Sequence, residues 1–108
     1  MPTVKGPVEG NFNNFTGTWI IDGLKFIGEG RLNQSVEQWS SNATLEYEDI
    51  NQLNGTYTIE SDPISSVGTN NVNITGTKEA NIKITGRLNT PIDQPNTVTG
   101  RITWSLTR

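Results

Sequence analysis

The run Phe15-Thr16-Gly17-Thr18-Trp19-Ile20-Ile21-Asp22-Gly23-Leu24-Lys25-Phe26-Ile27-Gly28 decides the fold. Phe15, Gly17, Trp19 and Ile21 fall on one phase of a two-residue alternation, and the alternation resumes after Asp22-Gly23 at Leu24, Phe26 and Gly28. A period of two sends successive side chains to opposite faces of a strand. Asp-Gly between two such runs is a tight hairpin signal, because both central residues of that turn take positive φ. The chain therefore opens its folded part with an antiparallel hairpin.

The same period continues outward to Leu106. The apolar phase runs on through Leu32; then Trp39, Ser41, Ala43, Leu45 and Tyr47; then Leu53, Gly55, Tyr57 and Ile59. It is completed by Val72, Ile74 and Gly76; by Ala80, Ile82, Ile84, Gly86 and Leu88; and by Val98, Gly100, Ile102, Trp104 and Leu106. Seven strands are expected, with polar connections at Asn33-Gln34-Ser35 and from Asp49 to Gln52, a turn at Lys78-Glu79, and loops from Ser61 to Asn71 and from Asn89 to Asn96. Residues 1–14, with Pro2, Gly6, Pro7 and Gly10, read as an N-terminal arm with an edge strand expected near Val8. Residues 15–108 read as one antiparallel β domain.

Composition agrees. A chain of 108 residues is one domain. It carries 15 Thr, 13 Asn and 11 Gly against two Ala and six Leu, which favours pleated strands over helices. The opposite phase is rich in threonine, at Thr16, Thr18, Thr56, Thr58, Thr75, Thr77, Thr85, Thr97, Thr99, Thr103 and Thr107, so one face of the sheet is wet. A sheet with a single apolar face closes into a barrel or packs as a sandwich. The fold class is all-β: a small antiparallel β-barrel of seven to eight strands, with a β-sandwich as the alternative.

Glycine favours the barrel. The unit apolar, polar, Gly, polar recurs as FTGT, FIGE, LNGT, ITGT, ITGR and VTGR, which places Gly17, Gly28, Gly55, Gly76, Gly86 and Gly100 on the apolar phase. Interior glycines mark bends, bulges or places where something large approaches the backbone. They either open room for a ligand or let Trp19, Trp39, Tyr57 and Trp104 lie across neighbouring strands as packed core.

The polar cluster leading into apolar-x-Gly-x-Trp, Asn11-Phe12-Asn13-Asn14-Phe15-Thr16-Gly17-Thr18-Trp19, resembles the first-strand signature of lipocalins and their calycin relatives. FTGTW, LNGTY and ITGRL are similar to strand phrases of the avidin family, and GRITWSLTR ends on a Trp and an Arg as calycin chains often do. The resemblance implies an eight-stranded up-and-down barrel around a ligand cavity, with Trp19 closing its bottom and Arg101 or Arg108 stacked over it. Ile20 departs from the residue that usually follows the Trp in lipocalins, and the usual disulfide is missing. Glycine-interrupted strands are also a habit of allene-oxide-cyclase and dirigent barrels.

Chemistry is bounded by what the chain lacks. It has no Cys and no His, which removes thiolate chemistry, His-based acid–base catalysis and ordinary zinc sites. A net charge of -3 with no basic block argues against nucleic acid. No apolar run reaches the length of a membrane helix, and Met1-Pro2-Thr3-Val4-Lys5 lacks the apolar core of a signal peptide. A soluble, untargeted chain is expected. Glu46 and Glu48 fall on the wet phase, as a solvated pair does, and the segment from Asp49 to Gln52 has too few oxygen ligands for calcium. Five sequons occur, at Asn14, Asn33, Asn42, Asn54 and Asn73. The Thr-x-Thr ranks would suit an ice-binding plane only on a flat sheet, which a coiled barrel is not.

Two functions lead, with carbohydrate recognition by exposed aromatics a weaker third because most aromatics fall on the inward phase. The first is a non-enzymatic binder of a small apolar or amphipathic ligand, lined by Trp19, Phe26, Trp39, Ser41, Tyr57 and Trp104, with Ile84 beside them and Gln38 or Lys78 reaching a mouth. The second is a structural or surface-assembly subunit of a virion, filament or adhesin, forming a homo-oligomer through the N-terminal arm. Neither needs a catalytic residue, a metal or a cofactor.

Overall fold

In the computed structural model, which describes residues 3–59, 65–75 and 82–107, the chain is built on one long hairpin. Strand β1 (Thr3–Ile21) pairs antiparallel with β2 (Leu24–Glu46) along its whole length. The turn is the Asp22-Gly23 dipeptide, at φ 52° and 79°, which is the positive-φ pair that a two-residue hairpin requires. The segment expected to be an arm is thus the first half of β1. Val4, Gly6, Val8 and Gly10 continue the alternation, and Val8 faces Ser41 across the ladder.

The Asn33-Gln34-Ser35 connection is likewise absorbed into β2, where it forms a corner. From the pair Gly10↔Trp39 to the pair Asn14↔Arg31, β1 advances four residues and β2 eight. The surplus bends the hairpin and leaves Phe12 at φ 56°, exposed. Bending folds β1 back on itself until Gly6 lies against Thr18: a Cβ at Gly6 would run into the Thr18 carbonyl and stand 2.8 Å from Trp19 Cδ1.

The remaining strands are β3 (Gly55–Ile59), β4 (Ser65–Val67), β5 (Asn71–Thr75), β6 (Lys83–Arg87), β7 (Asn96–Val98) and β8 (Gly100–Thr107). Their order is β3-β8-β2-β6-β5-β4-β7, with β1 on the other edge of β2. One edge of β2 serves two partners: Lys25–Leu32 pairs with β8, and Thr44–Glu46 with β6. Because β7 runs on into β8 through Thr99, the path from β2 through β6, β5 and β4 returns to β2. The result is a nearly closed antiparallel barrel of eight strands, 36 × 25 × 21 Å in extent. At the return, Gly100 takes φ 148° and its backbone presses on Arg31, 2.9 Å from the Arg31 carbonyl carbon to a Cβ built there. Asn33 ties the same corner, its N–H donating to the Thr99 carbonyl (2.9 Å) and its side-chain oxygen accepting from the Thr99 N–H (3.0 Å).

The barrel class holds, and further particulars differ from the sequence expectation. β4 lies inside the stretch expected to be a loop from Ser61 to Asn71. The order of strands is not sequential, unlike the up-and-down path that the calycin resemblance implies. Gly76, Ala80, the Lys78-Glu79 turn and Arg108 lie outside the described residues. The wet face is largely as expected, with Thr16, Thr56, Thr58, Thr97 and Thr103 exposed, but Thr75 is buried and its N–H donates to Ser65 Oγ at 3.0 Å. No helix among the described residues is long and apolar enough to cross a membrane.

Candidate functional site

Five of the six expected ligand-binding side chains are core. Trp19, Phe26, Trp39 and Trp104 are buried, as is Ser41. Trp19 and Trp104 meet at a centroid distance of 5.5 Å and an interplanar angle of 46°; Phe15 and Trp39 meet at 6.1 Å and 43°. Such tilted contacts add to the burial of large apolar area.

Glycine makes the room for these rings. A Cβ on Gly28 would stand 3.0 Å from Trp104, one on Gly17 would strike the ring of Trp19, one on Gly10 that of Trp39, and one on Gly30 that of Phe15. The holes that the glycines leave are filled by indole and phenyl rings. Ser41, the inward hydroxyl, donates to the Arg87 carbonyl at 2.8 Å and sits against Gly86, so it serves the β2–β6 side of the barrel. Gly10 and Gly30 belong to this packing although neither lies in the recurrent four-residue unit; Gly55, which does, is exposed at φ 98° with open space at its Cβ position.

Of the two arginines expected over Trp19, Arg101 stands exposed on the outer face of β8, opposite Arg31, and Arg108 lies outside the described residues; among the described residues the ring of Trp104 packs against Trp19 at a tilt. Trp19 Nε1–H donates to the Ala43 carbonyl at 3.2 Å, whereas the indole N–H groups of Trp39 and Trp104 have no acceptor among the described residues. Tyr57 is half-buried against the core from β3.

Phe26 differs from the other five. It lines an apolar cleft of about 500 Å³ at one end of the barrel, together with Leu24, Ile50, Leu53 and Leu106, with Asn51, Asn54 and Ser105 at the polar margin. The near wall is a 3-10 turn, Ile50–Gln52, fixed by Asp49: its carboxylate accepts from the Asn51 N–H at 2.9 Å, and Gln52 reaches back to the Asp49 N–H at 3.3 Å. That reciprocal capping satisfies donors that a short turn leaves open. It also holds Ile50 over the end of the barrel. Leu24, Leu53 and Leu106 were legible as apolar-phase residues near strand ends, but Ile50 sits in a segment whose polar residues read only as a connection. Of the mouth residues expected from sequence, Gln38 lies at a different, smaller cleft with Glu9, Trp39, Ser40 and Thr90, and Lys78 lies outside the described residues.

Comparison with protein-family models, curated proteins and solved structures gives no match.

Proposed function

We propose that the protein is a non-enzymatic binding protein that takes a small apolar or amphipathic molecule at the open end of its barrel. The observation that carries this reading is the cleft itself: five apolar side chains converge on about 500 Å³, and Leu106 remains 40% exposed at its rim. Apolar concavities with a few polar groups at the margin suit such ligands. The calycin-like phrase from Asn11 to Trp19 and the barrel form support the same class of function, while the non-sequential strand order separates this chain from an up-and-down barrel. The filled interior moves the site from the barrel axis to its end.

Titration with 1-anilinonaphthalene-8-sulfonate tests the reading. Leu106→Glu places a charge at the rim of the cleft on an already exposed side chain, so the variant folds and binds the dye at least about tenfold more weakly, the equivalent of about 1.4 kcal/mol. Equal binding by parent and variant contradicts the proposal.

A second reading, an assembling subunit, is favoured by β1. Among the described residues this strand pairs only with β2, and Phe12 and Ile20 on it are 67% and 60% exposed. Edge strands with apolar side chains are templates for strand addition. Because Thr3–Gly10 already pairs with its own β2, contacts between subunits would use the other edge of β1 and not a free arm. Light scattering of the parent and of a Phe12→Ser, Ile20→Ser variant decides it: an assembly that the double substitution dissolves supports this reading, and a monomer in both cases refutes it.

A further inference from the structure

The outer face of β1, β2, β8 and β3 carries a second concavity, of about 780 Å³, whose lining shares no residue with the apolar cleft. Its floor is set by register. One row across the four strands reads Asn14, Arg31, Arg101, Thr58; the next reads Thr16, Glu29, Thr103, Thr56; all of these but Thr58 line the concavity. All eight residues are exposed.

Arg31 and Arg101 are directly opposite one another on neighbouring strands. Like charges in that position repel. Neither arginine has an ion pair or side-chain hydrogen bond among the described residues, Glu29 included. In a chain of net charge -3 with only 8 basic residues, two of its arginines are thus set side by side with no carboxylate in ion-pair contact among the described residues. A planar fork of donors on each side suits an oxyanion held by two guanidinium groups.

The neighbours narrow the ligand. Thr56 and Thr103 share a hydroxyl–hydroxyl contact of 3.0 Å, and with Thr16 and Asn14 they offer groups that donate and accept. Glu29, in the same concavity, disfavours a dianion and accepts from hydroxyl groups. Three inter-strand steps span about 14 Å, the length of a short oligosaccharide more than of a single ion. We infer that this face binds an acidic saccharide, with the carboxylate of a uronic-acid residue seated on Arg31 and Arg101 and sugar hydroxyls donating to Glu29 and exchanging hydrogen bonds with the threonines.

Calorimetric titration with a galacturonate trisaccharide, the neutral galactose trisaccharide and sodium sulfate tests the assignment. The acidic trisaccharide binds, and the neutral one and sulfate each bind at least about tenfold more weakly. Arg31→Gln and Arg101→Gln each lose roughly tenfold or more in affinity for the acidic trisaccharide, and Arg31→Lys, which keeps the charge but not the fork, falls between parent and Arg31→Gln. Glu29→Gln weakens the trisaccharide and strengthens sulfate. The inference is overturned if the acidic trisaccharide does not bind, if the neutral sugar binds equally well, if sulfate binds as tightly as the trisaccharide, or if the arginine substitutions leave affinity unchanged.

Discussion

Phe12 is held in a left-handed conformation, φ 56°, with its ring 67% exposed, so the backbone and the side chain are both unfavourably placed at the corner of the hairpin. Asparagine tolerates this region of φ and exposes no apolar ring. Phe12→Asn is therefore expected to raise stability by about 0.5–1 kcal/mol, measured as a higher urea midpoint at unchanged slope. The glycines beneath the rings respond in the opposite direction. At Gly28 the Trp104 ring leaves only 3.0 Å for a Cβ, and Gly28→Ala should overpack the core and cost roughly 1–3 kcal/mol. The tryptophans differ among themselves by their partners. Trp19→Ala should cost about 3–5 kcal/mol. Trp19→Phe should cost about 1 kcal/mol more than Trp104→Phe, since only the former surrenders an indole hydrogen bond while the latter removes a buried donor that has no acceptor among the described residues. Thermal or denaturant unfolding of the two Phe variants checks the order.

The hairpin β1–β2 is the element on which the rest is laid, and its turn was the most legible feature of the sequence because positive φ at two successive positions demands residues such as Asp-Gly. Gly23 is at φ 79° with open space around it, so Gly23→Ala strains only the backbone and should cost about 1–2 kcal/mol in a denaturant titration. The length of the hairpin was less legible. Pro7 breaks the strand pattern by eye, yet on β1 it faces Asn42 across the ladder and lies on a strand whose other edge is unpaired among the described residues, where a missing N–H is tolerated. Asn33-Gln34-Ser35 has turn composition, but the bend it makes is set by β7 and β8, whose contacts at Thr97 and Thr99 lie more than sixty residues away. β4 has three residues, too few for a period of two to show. The candidate cleft was legible where it draws on strand-phase residues, namely Leu24, Phe26, Leu53 and Leu106. Ile50 was not, because only the capped 3-10 turn aims it at the barrel end. The arginine pair was invisible for a different reason: Arg31 and Arg101 become neighbours only through the β2–β8 register.

At the scale of the molecule, the glycines and the aromatic rings are two halves of one device. A small barrel must curve sharply, glycine permits the curvature, and each large ring then fills the space a side chain would have taken. The proposed binding sites accordingly lie at the end cleft and on the outer face, away from the filled axis. The indole N–H groups of the three tryptophans report on the interior, and the backbone amides of Leu24, Phe26, Leu53 and Leu106 report on the cleft. A ¹⁵N–¹H titration with 1-anilinonaphthalene-8-sulfonate therefore tests the account most directly. It predicts shifts at the amides of those four cleft residues and of Ile50, with the indole signals of Trp19, Trp39 and Trp104 unmoved; indole shifts together with shifts at Gly17, Gly28 and Gly30, and a silent cleft, would contradict it by placing the ligand inside the barrel.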